Sequence, residues 1–186
     1  LTGGAATKLA EFYGSEFWFS DSAPEPVNAS KSAYKQAFES MGIYSNENFI
    51  ELTDGKISAR QSIDGNVIFE TGVFAETAEN GGIASANGYW ILSDSASSVS
   101  KKTPSQLTPV TSVLINFTEN PYKNTAGEEI ILIETGYSLG TIYRDTQHKL
   151  VSVIPAYKIT CSSGYYMYDA LSGDFLYANI NNEIMY

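Results

Sequence analysis

A chain of 186 residues with a formal charge of −10 is a poor partner for nucleic acid or anionic lipid, because both demand clustered Lys and Arg. Lys101 and Lys102 are its only adjacent basic residues. A hydrophobic content of 43% excludes a disordered chain, and no apolar run approaches the roughly 18 residues of a transmembrane helix.

In chain order, Leu9, Phe12 and Tyr13 recur at helical spacing and predict a short helix over residues 5–13. Ser30 predicts the N-cap of a second helix running to Met41. Ala33, Tyr34, Ala37, Phe38 and Met41 form its apolar face, and Gly42 is its stop. Strands are predicted over 48–53, 56–63 and 66–74, joined at Asp54-Gly55 and Asp64-Gly65, pairs that favour tight hairpins. Ile57, Ala59, Gln61 and Ile63 alternate with Lys56, Ser58, Arg60 and Ser62, so that strand has one wet face. Gly81-Gly82 and Asn87-Gly88 mark turns before a strand at 89–92.

Residues 93–107 are the most polar stretch and read as a linker. Thr108 then predicts an N-cap, with Pro109 at the first helical position. Val110, Val113, Leu114 and Phe117 share one face, and Asn120-Pro121 ends the helix. Further strands are expected near 128–139, 149–160, 164–169 and 174–178, with Pro155 on an edge or at a bulge. The fold class this predicts is α+β. It comprises two tandem units, 1–95 and 96–186, each a helix packed on a twisted antiparallel β-sheet.

The residues assemble no catalytic constellation. His148 is the sole histidine and sits in a polar run, which suits a surface loop better than a general base. No Gly-x-Ser-x-Gly turn supplies a nucleophile. Cys161 is the sole cysteine, so no internal disulfide forms; its strand periodicity predicts a buried small hydrophobe rather than a reactive thiolate. Asp169 and Asp174 flank Leu-Ser-Gly and suit bonding of that turn's amides, with calcium the minority reading because the loop lacks the calcium-ligand order. Glu128 and Glu129 open a strand, and carboxylates alone make no glycosidase pair. Asn28 and Asn116 begin glycosylation sequons that read as chance matches, Asn28 or Ser30 being better explained as a helix cap. No cofactor or metal is expected.

Aromatic residues carry the remaining signal. The run Glu16-Phe-Trp-Phe19 and the pair Tyr89-Trp90 suit either core packing or a stacking platform for sugar or peptide. Tyr165, Tyr166 and Tyr168 cannot all face inward on one strand, so at least one is expected on a partner-binding surface.

Pro155-Ala-Tyr-Lys-Ile159, followed by Gly164-Tyr-Tyr-Met-Tyr-Asp-Ala-Leu-Ser-Gly-Asp174, resembles the C-terminal hairpin of PepSY-like domains. It looks especially like YycI and YycH, regulators of the YycG (WalK) sensor kinase of the YycFG (WalRK) two-component system in Gram-positive bacteria. Gln61-Ser-Ile-Asp-Gly-Asn-Val-Ile-Phe-Glu70 is similar to that family's strand-turn-strand element, and Glu128 to Tyr137 fits the strand before the hairpin. The resemblance runs in short patches over residues 30–178. It implies a non-catalytic extracytoplasmic regulatory domain, with a membrane anchor upstream of Leu1 and a sensor-kinase ectodomain or related regulator as protein partner. The alternatives are a secreted binding module or a PepSY-type protease-inhibitory domain.

Overall fold

Thirteen strands and two α-helices occupy the described part of a computed structural model, which covers residues 8–13, 16–91, 107–122, 128–139 and 153–185. The strands form antiparallel sheets of six, five and two members. The chain divides into two units, Leu1–Ala96 and Ser97–Tyr186.

The first unit contains β1 (Lys8–Tyr13), β2 (Glu16–Asp21), α1 (Lys31–Ser40), β3 (Ile50–Thr53), β4 (Lys56–Ala59), β5 (Ser62–Ile63), β6 (Asn66–Val67), β7 (Gly72–Thr77) and β8 (Ile83–Tyr89). A 3-10 turn at Glu47–Phe49 precedes β3. The six-stranded order is β1-β2-β8-β7-β4-β3, with β5 and β6 as a separate hairpin. Asp54-Gly55 and Asp64-Gly65 turn the β3–β4 and β5–β6 hairpins with positive φ at all four residues. That conformation matches the twist of the flanking strands and suits Asp-Gly.

Two rungs build the inner face of this sheet. Phe17, Gly88, Val73, Ala59 and Ile50 are partners across one rung; Phe19, Ala86, Ala75, Ile57 and Leu52 across the next. Small residues hold the middle and large ones flank it, leaving room for Tyr34 and Phe38 of α1, which join the same buried cluster. Burying each such side chain is worth about 1.5–3 kcal/mol relative to leaving it in water. The Ser30 hydroxyl caps α1 by accepting from the Ala33 amide at 3.2 Å.

The second unit contains α2 (Val110–Thr118), β9 (Ile130–Ser138), β10 (Ile154–Cys161), β11 (Gly164–Asp169), β12 (Phe175–Ile180) and β13 (Glu183–Met185). Its sheet is a meander in the order β13-β12-β11-β10-β9. Val113 and Phe117 of α2 share a buried cluster with Tyr157, Ile159, Tyr166, Tyr168 and Ala178.

The expected α+β class of two tandem helix-on-sheet units is overturned by this strand-dominated layout in three sheets. The helix predicted over 5–13 is instead β1 across its described part, where pairing with β2 outweighs the helical spacing of Leu9, Phe12 and Tyr13. The strand predicted over 56–63 breaks after Ala59, and Gln61 turns aside to exchange two hydrogen bonds with Ile91. The strand predicted over 66–74 splits into β6 and β7, and Asn87-Gly88 lies within β8 rather than in a turn. Thr108 does not cap α2: its hydroxyl donates to Leu171 O at 2.8 Å, and Pro109 takes the cap position without a side-chain bond. Pro155 is tolerated in an interior strand because it lies just past the end of the β10–β11 ladder, which starts at Ala156; there its carbonyl accepts from the Ala170 amide at 2.9 Å, and the ladder needs no donor from it. The linker reading of 93–107 lies outside the described residues except for Leu107.

Candidate functional site

Strand β11 turns Tyr166 and Tyr168 to one face and Tyr165 and Met167 to the other; Met167 is fully buried as well, and the pairing with β12 shifts register between Met167 and Tyr168. Tyr166 and Tyr168 point into the core and are fully buried, so they have no surface to offer a partner. Their rings are fixed by edge contacts: Phe117 meets Tyr166 at 5.0 Å and Phe175 meets Tyr168 at 5.6 Å between centroids.

Their hydroxyls, with that of Tyr157, tie the sheet to both ends of α2. Tyr157 Oη donates to Thr108 O (2.9 Å) ahead of the helix. Beyond its C-terminus, Asn120 Nδ2 donates to Tyr168 Oη (2.9 Å), and Tyr166 Oη lies 2.9 Å from Glu128 Oε2 and 3.2 Å from Tyr122 O. The Ser163 hydroxyl donates to the other Glu128 oxygen. Burial raises the pKa of both phenols; the Glu128 carboxylate raises that of Tyr166 further, while the Asn120 donor partly offsets the rise at Tyr168.

Tyr165 is the one of the three that remains partly exposed, and it belongs to a different surface. Leu132, Thr160, Tyr165, Asn179 and Ile184 are successive cross-strand partners from β9 to β13, a complete rung on the outer face. At normal strand spacing it spans about 19 Å. Leu132 and Ile184, at its two ends, are 50% and 55% exposed, so the row is open to solvent at both flanks. The Lys158 ammonium lies 4.9 Å from the Tyr165 ring centroid and 3.7 Å from Glu134, and Tyr177 meets Tyr165 edge-on at 6.2 Å. These contacts limit the rotamers open to Tyr165, which lowers the entropy cost of using it as a contact. A depression of about 440 Å³ adjoins it, lined by Thr160, Ser162, Asn179, Asn181 and Asn182 among others.

The other candidates fall away from this surface. Cys161 is 4% exposed in the core beside Ile159. The Asp169 carboxylate accepts from the amides of Leu171 and Ser172, as a turn residue does. No group of three or more metal-ligating side chains occurs among the described residues. Asn116 Nδ2 donates to Gly173 O at 2.8 Å. His148 lies outside the described residues. In the first unit Phe17, Phe19 and Trp90 are core residues, whereas Trp18 points outward. Leu132 and Ile184 escaped sequence reasoning because aliphatic residues in strands ordinarily signal core; only the register reveals that they share a rung with Tyr165. Compared with known proteins, the chain matches no family model and no curated protein.

Proposed function

We propose that the chain is a non-catalytic extracytoplasmic binding domain that engages a protein partner through the outer face of its five-stranded sheet. The observation that carries this reading is the rung Leu132–Thr160–Tyr165–Asn179–Ile184, a central braced tyrosine between two exposed aliphatic side chains. Protein contacts concentrate their energy in such anchors, with polar neighbours excluding water around them. The adjoining edge favours the same role. Among the described residues β9 is the end strand of its sheet, and it leaves Ile130, Ile131 and Leu132 exposed in succession. An edge of that kind invites an added strand from a partner. The resemblance to YycI-like regulators supports a sensor-kinase ectodomain as the partner class.

Alanine at Leu132, Tyr165 or Ile184 tests the proposal. Loss of a contact anchor costs on the order of 1–2 kcal/mol of binding, or roughly 5- to 30-fold in affinity. Capture of the kinase ectodomain should weaken by that factor while the melting temperature stays nearly unchanged. Undiminished capture by all three variants would reject this face.

A further inference from the structure

The outer face of the six-stranded sheet carries a second arrangement, unrelated to the rung on β9–β13. Trp18 and Phe74 are 56% and 65% exposed, although Phe17, Phe19, Phe38 and Trp90 are all buried. Both stand on one outer rung, flanking Asn87: Trp18 pairs with Asn87 on one side and Phe74 on the other. Two strand spacings therefore separate their backbones, about 9.6 Å. The rung continues through Ser58 to Glu51. Beside Phe74 lies a depression of about 410 Å³ whose walls include Ser58, Ser85, Asn87, Glu76 and Lys56.

From this arrangement we propose that the face binds a neutral β-linked glycan chain. A pyranose presents a C–H face that stacks on an aromatic ring and a rim of hydroxyls that both donate and accept. An extended β-1,4-linked chain sets alternate sugars at a separation comparable to that of Trp18 and Phe74. One sugar stacks on each ring, and the intervening sugar lies over Asn87. The Asn87 amide offers two donors and an acceptor to that sugar's hydroxyls, and Ser58 and Ser85 extend the set.

The same features weigh against other occupants. Addition of a partner's strand, open at β9, is closed here, because Trp18, Asn87 and Phe74 stand on interior strands of their sheet. An anionic polysaccharide or nucleic acid would meet Glu51 and Glu76 on this face and a chain of charge −10.

Titration of the whole chain with chitohexaose and with cellohexaose, read by tryptophan emission and calorimetry, tests the proposal. Trp90 is 3% exposed, so an emission change reports on Trp18. Saturable binding of at least one hexasaccharide is expected. The corresponding disaccharide, too short to reach both rings, should bind at least tenfold more weakly. Trp18→Ala and Phe74→Ala should each weaken hexasaccharide binding at least tenfold without altering the circular dichroism spectrum, and Tyr165→Ala should leave it unchanged. Phe74→Ala decides the matter if Trp18→Ala disturbs folding. The proposal is overturned by no saturable binding of either hexasaccharide, by equal affinity for disaccharide and hexasaccharide, or by folded variants that bind normally. Trp18-dependent binding of a hexalysine peptide without any glycan binding would also overturn it, pointing instead to a cationic ligand.

Discussion

Tyr166 donates to Glu128 across 2.9 Å, setting a fully buried phenol against a carboxylate at the rim of the core beneath α2. Burial first, and this carboxylate second, hold the phenol in its protonated form. Tyr168 is held protonated mainly by burial.

A pH dependence follows from these two shifts. In the unfolded chain a tyrosine ionises near pH ~10. The folded state keeps its phenolic protons to higher pH, so it binds more protons than the unfolded state above that point. The stabilisation is therefore complete below about pH 10 and is lost as pH rises through the elevated folded values. The melting temperature should be level in mildly alkaline buffer and fall beyond about pH 10. Tyr166→Phe should flatten the fall. An unchanged slope in that variant would contradict the assignment.

The Asn120–Tyr168 bond predicts an asymmetry between single and double variants. Tyr168→Phe strips a buried amide of its acceptor and should cost about 1–3 kcal/mol in urea unfolding. Asn120→Leu should cost less in that background than in the wild type, because the unmet donor is then gone, while the Tyr122 amide loses its Asn120 acceptor in both backgrounds. A double variant whose loss is the sum of the two single losses would argue against a direct bond.

Cys161 should react with a thiol reagent slowly in the native state and rapidly in denaturant. It lies on the core face of β10, 4% exposed beside Ile159. Comparable rates in the two states would place the thiol on the surface.

Legibility in the sequence followed the range of the physics. Features set by a few neighbouring residues could be read directly. Ser30 caps its helix, Asp54-Gly55 and Asp64-Gly65 turn their hairpins, and β10 to β12 lie close to the expected positions. Features set by distant pairing could not. β1 looked helical until β2 is placed beside it. The turn at Asn181-Asn182, with positive φ at both residues, adds β13 where no glycine announces it. The three tyrosines show the same limit at the site. Alternation dictates that Tyr165 opposes Tyr166 and Tyr168, yet only the position of α2 decides which set is buried. The outer rung is a property of register across five strands, which no local pattern encodes.

The most direct test of the central claim is site-specific photo-crosslinking in cells that produce the native protein. A benzophenone amino acid would replace Leu132, Tyr165 or Ile184 in turn, with the exposed residues Tyr44 and Ile115 as controls. The account predicts a covalent adduct to the same protein from all three rung positions, identified by mass spectrometry as an extracytoplasmic domain of a sensor kinase, and none from the controls. Adducts from the controls alone, or no adduct from the rung, would contradict it.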